Sequence, residues 1–333
     1  MVTNSYSDNI GVFLGYGNGS FTGMQTYETG ASPESIVVHD FNGDNYLDIV
    51  VNTGSNDVSV LLGYNNGSFA DRMIFSSSTP ANFIAAGDFN NDTRPDIVLS
   101  IYRRNYVRVL LGNGDGSFSQ TPTYSTGRGP QCVVVHDLNN DTHLDIVVVN
   151  VFSSTINILL GYGDGSFAYP MVYSTGFYPR SVAMGDFNND GQSDIVVANS
   201  IGSDVSVYLG LGNGSLLNEM RYSAGYRPYS VAVGYVNNDT YLDIIVANSG
   251  DGSVSVLLGF GNGSFLHQMT HSVGQTPQSI AVGDFNNDTY LDVVAVNRYS
   301  NDISILFGYG NGSFVTEIAY SIGSFPVSTV CRC

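Results

Sequence analysis

Residues 35–51 read SIVVHDFNGDNYLDIVV, and residues 279–295 read SIAVGDFNNDTYLDVVA, almost the same text 244 positions later. A second string recurs between and around them. It is FLGYGNGSF at 13, LLGYNNGSF at 61, LLGNGDGSF at 110, LLGYGDGSF at 159, YLGLGNGSL at 208, LLGFGNGSF at 257 and LFGYGNGSF at 306. Successive copies lie 48 and then, five times, 49 residues apart. A chain of 333 residues is long enough for two ordinary domains, but this regularity resolves it into one array of about seven units.

Each unit reads as four short strands: a run such as SIAVGDF, a run such as LDIVVAN, a run such as VSVLLG, and a weaker stretch ending near Tyr-Ser-Thr-Gly. Val and Ile fill these runs and Gly, Asn, Asp or Ser punctuate them, with no helical periodicity over 11 residues. Four strands per 48–49 residues predict an all-β, seven-bladed β-propeller of four-stranded antiparallel blades spanning residues 1–333 as a single domain. A parallel β-helix built on glycine-rich nonapeptides would repeat every nine residues, and WD40 or kelch propellers would carry Trp, which is absent. The closing blade is expected to be incomplete. Val2-Thr3-Asn4 matches the end of a second strand and PVSTVCRC a first strand, so residues 1–30 complete the blade begun by 326–333. Cys333 then aligns with Asp284, which predicts a blade short of one loop and most of its second strand, in a chain that is a fragment.

Hydrophobic residues make up 43% and charged residues 12%, too much apolar material for a disordered polyelectrolyte. Acids outnumber bases 29 to 11, for a formal charge of −18, and every base is Arg. A lysine-free chain forms no lysine Schiff base and has no Walker A lysine, and so acidic a protein is poorly suited to nucleic acid. No run of 18 apolar residues predicts a membrane span, and no signal peptide is visible at the N-terminus. The three cysteines, Cys132, Cys331 and Cys333, have neither disulfide-scaffold numbers nor zinc spacing.

The loop between the first and second strands carries the chemistry. In five copies it has the form D-x-N-x-D-x-x-x-D: Asp40, Asn42, Asp44, Asp48; Asp88, Asn90, Asp92, Asp96; Asp137, Asn139, Asp141, Asp145; Asp186, Asn188, Asp190, Asp194; and Asp284, Asn286, Asp288, Asp292. Oxygens at positions 1, 3, 5 and 9, with a backbone carbonyl at position 7 from Tyr46, Arg94, His143, Gln192 and Tyr290, suit Ca²⁺. Mg²⁺ demands a smaller octahedral cage and keeps its waters. The loop is not an EF-hand, since position 12 is Val51, Leu99 or Val148 in the first three copies. A solvated Asp/Asn turn would explain one copy but not five with the same ligand pattern. The sixth copy, Tyr235, Asn237, Asp239, Asp243, has lost its first carboxylate and is expected to be weak or empty. Position 6, where Gly eases a positive φ, is Asn45, Thr93, Thr142, Gly191 and Thr289 in the full copies.

With these loops in view, the sequence resembles the FG-GAP/VCBS repeat family, the propeller repeats of integrin α-subunit heads and many secreted proteins. Gly30-Ala31-Ser32-Pro33 approximates the Gly-Ala-Pro element, and the acidic loops match the family's calcium hairpins. The resemblance covers essentially the whole chain and implies about five calcium sites and an extracellular or cell-surface setting. It leaves function open, because the family spans adhesion receptors, lectin-like modules and domains appended to enzymes.

His39 and His136 precede the first loop Asp where Gly stands in other copies, and His143, His267 and His271 recur beside no nucleophile. Tyr124, Tyr173, Tyr222 and Tyr320 occupy one repeat position and read as packing residues. In an antiparallel blade the 1–2 and 3–4 connections share one face, so the acidic loops and the GYGNGSF turns lie together. That face also carries nine N-x-S/T sequons: Asn18, Asn66, Asn213, Asn262 and Asn311 in the turns, and Asn91, Asn140, Asn238 and Asn287 in the loops. The opposite face gathers Arg103, Arg104, Tyr178, Arg180, Tyr226 and Arg227, with Tyr102, Arg128, Phe152, Phe177, Tyr229, Arg298 and Tyr299 nearby. Tyr and Arg on scaffolded loops are favoured interface anchors. The expected function is therefore a non-enzymatic, calcium-stabilised extracellular adhesion or recognition module that binds a protein or glycan through this face. The competing readings are a lectin-like or accessory propeller of a polysaccharide-active enzyme, and a structural spacer.

Overall fold

A computed structural model describes residues 1–330. Among these residues there is no helix, and 28 strands form seven antiparallel sheets of four. Blade I comprises Pro33–His39, Asp48–Thr53, Asp57–Leu61 and Met73–Ser76. Blades II to VI repeat this order, opening with Phe83–Gly87, Pro130–His136, Pro179–Gly185, Pro228–Gly234 and Pro277–Gly283. Blade VII is Pro326–Thr329, Val2–Asn4, Asn9–Val12 and Gln25–Glu28. Each first strand touches the first strand of the next blade, and that of blade VII touches that of blade I. The ring is thus closed around an axis, as a seven-bladed propeller.

Burial explains the strand grammar. Second strands such as Asp145–Asn150 are buried along their whole length, so a continuous Val/Ile run replaces alternation. Fourth strands such as Met171–Ser174 lie at the rim and alternate between exposed and half-buried. Seven hydrophobic clusters each fill the gap between two successive blades. The Phe at loop position 2 meets the turn Phe of the next blade: Phe89 with Phe167, and Phe187 with Phe265, at 5.5 Å between ring centres. Tyr124 and Tyr222 pack edge-on against those same turn rings. Each buried Val or Ile side chain contributes on the order of 1.5–3 kcal/mol, so the sum of seven such seams dominates stability.

A first strand has a free inner edge, which needs partners for its N–H groups. The preceding blade supplies them. Ser181 Oγ accepts from Val231 N at 3.2 Å, and Ser279 Oγ accepts from Thr329 N at 3.1 Å. Cys132 stands at the same repeat position, where Val182 N–H points at its sulfur, and burial pushes its thiol up to about 12. It is a buried packing residue.

The closing blade has its four strands, and the second is thinned where the sequence predicts that most of it is absent. All four strands are present, with Val2 opposite Thr329 and Asn4 opposite Pro326. Only strand length is reduced, to four and three residues where blade IV has seven and six. Three residues suffice because Val2, Thr3 and Asn4 are all buried and paired on both sides. Packing is thinner there: among the described residues the seam between blades VI and VII holds five buried hydrophobic residues, against eleven between blades I and II. A cavity of about 670 Å³ lies beside it, lined by Phe13, Phe21, Tyr64 and Phe285 among others. The alignment of Cys333 with Asp284, and the reading of Cys331, fall outside the described residues.

Candidate functional site

The acidic loops fold around their own carboxylates. In all five full copies the position-1 Asp accepts the position-6 N–H: Asn45 to Asp40 at 2.7 Å, Thr93 to Asp88, Thr142 to Asp137 and Gly191 to Asp186 at 2.8 Å, and Thr289 to Asp284 at 2.9 Å. Position 5 uses both ends of its residue. Its N–H reaches the position-1 Asp and the position-3 Asn, while its own carboxylate accepts the position-7 N–H and the Asn amide. In blade IV these bonds are Asp190 N to Asp186 and to Asn188 at 3.2 Å, Gln192 N to Asp190 at 2.8 Å, and Asn188 Nδ2 to Asp190 at 2.8 Å. Asp44, Asp92, Asp141 and Asp288 repeat the pattern with Asn42, Asn90, Asn139 and Asn286.

Position 9 is different in kind. Asp48, Asp96, Asp145, Asp194, Asp243 and Asp292 are completely buried. In blade IV, Asp194 Oδ2 accepts Phe187 N at 2.7 Å from the acidic loop, and Oδ1 accepts Gly210 N at 2.8 Å from the 3–4 turn. The carboxylate clamps the two connections of one face together. The turn glycine is required by this approach, for a Cβ at Gly210 would collide with the Ser193 carbonyl oxygen. Burial outweighs the two N–H donors and pushes Asp96, Asp194 and Asp243 up to about 6.

Backbone strain marks the same loops. Position 6 has a positive φ in every full copy: Asn45 67°, Thr93 67°, Thr142 72°, Gly191 80° and Thr289 74°. For a β-branched Thr this is an outlier, costing on the order of 1–3 kcal/mol. Thr240, the equivalent residue in blade V, is not among the positive-φ residues. There Tyr235 offers no carboxylate, and only the bonds of Asn237 and Asp239 remain.

Among the described residues, no three His, Cys, Asp or Glu side chains gather as a metal-holding group. The third carboxylate of each loop is committed to the clamp, though each of its oxygens retains a second lone pair. What remains in blade IV is Asp186, Asn188, Asp190 and the Gln192 carbonyl. This all-oxygen, doubly charged set fits a hard cation such as Ca²⁺ in kind. The position-7 side chains link blades instead: Asn91 bonds to His143 at 3.0 Å, and Asn140 donates to Gln192 at 2.6 Å.

On the opposite face, the 4–1 connection of one blade meets the 2–3 loop of the next, as where Tyr226 N donates to Asp251 at 2.9 Å. Arg180 lies between the rings of Tyr178 and Tyr229, 5.0 and 5.1 Å from their centres. Tyr178 meets Phe152, and Phe152 meets Tyr102, at 5.8 and 5.3 Å. These residues form one continuous aromatic–arginine string across blades II to V. Arg227 stacks on Tyr226 beside it at 5.4 Å, both exposed. Arg103 and Arg104 are exposed in the blade II loop, directly after Tyr102 of that string. Tyr178 and Arg227 hold φ of 62° and 55°, each just before a strand-opening Pro.

Sequence reasoning singled out Arg180 and Tyr229 but missed that their repeat position, near the start of each first strand, gathers around the axis. That repeat position holds Glu34, Asn82, Gln131, Arg180, Tyr229 and Gln278 in blades I to VI and Val327 in blade VII, and these line a single axial cavity; in blade II it lies two residues after Pro80. Its variation inside otherwise uniform strands was the available signal. Of the histidines, His39 and His136 are exposed, and His271 is packed against Phe314 with Nε2 buried and unpartnered.

The FG-GAP-like repeat matches six times, over residues 1–51, 40–99, 88–148, 137–197, 186–246 and 236–295. The chain therefore belongs to the FG-GAP-like repeat family. No curated protein matches it in sequence. Solved structures similar to it include an Agrocybe aegerita lectin that recognises non-reducing terminal N-acetylglucosamine, at 18% identity and TM-score 0.63, covering 94% of this chain and 90% of that one. A second is BBS1N, solved in complex with ARL6DN, at 12% identity and TM-score 0.59, covering 88% and 80%. A third is virginiamycin B lyase from Staphylococcus aureus, at 12% identity and TM-score 0.58, covering 87% and 84%. A lectin, a protein-binding domain and a lyase share the fold, so these likenesses establish the fold alone. Among the described residues no helix is long and apolar enough to cross a membrane.

Proposed function

We propose that this protein is a non-enzymatic extracellular recognition module, stabilised by about five calcium ions, that engages a glycan or protein through the face opposite its acidic loops. The observation that carries the reading is the string Tyr102–Phe152–Tyr178–Arg180–Tyr229. It joins stacked rings and a guanidinium on connections held by a rigid ring, a composition enriched at binding hot spots. Calcium belongs to the scaffold in this reading. Five divalent ions would move the formal charge from −18 to −8 and relieve the crowding of carboxylates on the other face.

Secretion would reinforce the division of faces. All nine sequon asparagines are exposed on the acidic face. In the glycine-rich turns the Asn oxygen holds the Ser, as Asn262 does with Ser264 N at 3.0 Å, and the amide nitrogen is left for a glycan. Asn91 and Asn140 instead spend that nitrogen between blades. Sugar on the turns would cover the acidic face and leave the arginine face bare. A glycan and protein array, run with calcium and then with chelator, tests the reading. A ligand found there is expected to weaken with Arg227→Ala and Tyr178→Ala, and to tolerate changes at the Asn262 turn. The reverse pattern places binding on the acidic face and overturns it.

A further inference from the structure

In the axial cavity the repeats contribute side chains of different chemistry. The cavity measures about 230 Å³ and is lined by the first strands. Those strands repeat Ser, Val and Ile at most positions, yet one position near their start is Glu34, Asn82, Gln131, Arg180, Tyr229 and Gln278 in blades I to VI and Val327 in blade VII. A cavity kept only for packing would be filled by like residues from like repeats. Instead Glu34 and Arg180 face it from blades I and IV, with Gln131 and Gln278 between and beyond them.

Arg180 is built to receive an anion. Among the described residues the only ion pairs are those of Arg221 with Asp204 and Glu219, so Arg180 has no acidic partner in a chain of charge −18. Its Nε is buried without a hydrogen-bond acceptor, as are those of Arg108 and Arg298, but Arg180 alone of the three lines the axial cavity. Its Nη1 shares Gln131 Oε1 at 3.4 Å, and its plane is fixed between the Tyr178 and Tyr229 rings. A buried donor without an acceptor is costly unless a ligand supplies one. A guanidinium fork matches a planar carboxylate with two parallel hydrogen bonds. Glu34 and the two glutamines add acceptors and donors of the kind that hold hydroxyls. The cavity is smaller than the roughly 300–1,000 Å³ typical of drug-sized ligands, which limits the occupant to one small unit.

We propose that the axial cavity binds a small hydroxylated carboxylate, its carboxylate on Arg180 and its hydroxyls on Gln131, Gln278 and Glu34. This names a ligand class for the recognition face and rests on that reading for the choice of face. The occupant is a sugar acid, either free or at the end of a chain.

Titration calorimetry of the whole chain in calcium, with sodium glucuronate and with glucose as its neutral counterpart, tests it. One equivalent of glucuronate is expected to bind and glucose at least tenfold more weakly. Arg180→Gln should reduce glucuronate affinity at least tenfold, and Arg180→Lys should restore only part, since it keeps charge without the fork. Glu34→Gln should tighten binding severalfold by removing the one negative charge in the cavity, and serves if Arg180→Gln does not fold. Arg72→Gln, at the outer edge, should change nothing. A glucuronate-terminated tetrasaccharide that binds more tightly than the free acid identifies a chain end as the source, and equal binding identifies the free acid. No binding of glucuronate, equal binding of glucose, or affinity unmoved by both Arg180→Gln and Glu34→Gln overturns the proposal. If glucuronate fails while an array ligand is lost on Arg227→Ala, the cavity proposal falls and the recognition face stands.

Discussion

In blade IV the acidic loop begins with Asp186, and in blade V the same position is Tyr235, 51% exposed. Everything that depends on that carboxylate differs between the two neighbours. Blade IV has the position-6 N–H bonded to Asp186 and φ of 80° at Gly191. Blade V has neither the bond nor a positive φ at Thr240. Everything that depends on position 9 is the same. Asp243 accepts Val236 N and Gly259 N at 2.9 Å, as Asp194 accepts Phe187 N and Gly210 N. The comparison separates two roles that the D-x-N-x-D-x-x-x-D pattern had merged. Positions 1 to 5 shape an open acidic loop, and position 9 belongs to the fold whether or not that loop is intact.

The largest effect should come from breaking what the two blades share. Asp194→Ala or Asp243→Ala strips the acceptor from two buried backbone N–H groups and leaves a void. We expect a loss of about 3–5 kcal/mol for each substitution, measured by urea unfolding, and nearly the same loss in both blades. A severe Asp194→Ala beside a neutral Asp243→Ala would return position 9 to the cation and dissolve the distinction.

The next effect should divide the blades. Chelation is expected to lower the melting temperature, since a ligand at 100 times its Kd stabilises by about 2.7 kcal/mol. Asp190→Ala should remove one calcium per chain by elemental analysis and lower the melting temperature only when calcium is present. Asp239→Ala should do neither. Conversely, Tyr235→Asp should create a sixth site in blade V. Equal calcium counts for wild type, Asp190→Ala and Tyr235→Asp would show that these loops hold no metal.

How much of this was legible in the sequence follows from what each residue answers to. Blade number and strand order were legible because the repeat length is a property of the chain itself, and LDIVVAN has to be buried on both faces. The two faces followed from antiparallel pairing. The clamp was not legible, because an Asp that binds a cation and an Asp that binds two N–H groups occupy the same place in the text. Only the buried partner, Gly210 or Gly259, distinguishes them, and it lies 16 residues further along the chain. Val2–Asn4 could be read as the end of a second strand by matching it to the other repeats, and the structure shows this short strand paired on both sides. Arg180 was singled out, but its cavity partners Glu34, Gln131 and Gln278 come from three other blades, and only the closed ring assembles them.

The smallest effect probes the strain itself, and its sign is the test. Thr289 holds φ of 74° because Asp284 accepts its N–H at 2.9 Å, a conformation that a β-branched residue resists and glycine adopts freely. Thr289→Gly should therefore leave that bond in place and relieve the strain, raising stability by about 1 kcal/mol in chelator. Thr240 in blade V is under no such constraint. Thr240→Gly should only add freedom to the unfolded chain and lower stability by about 0.5–1 kcal/mol. The two substitutions are chemically identical and sit one repeat apart, so composition and general flexibility cancel between them. Opposite signs in paired unfolding curves would tie the strain to the position-1 carboxylate. The same sign in both would mean that the backbone at position 6 is set by the turn itself, and that Tyr235 changed the loop's charge without changing its shape.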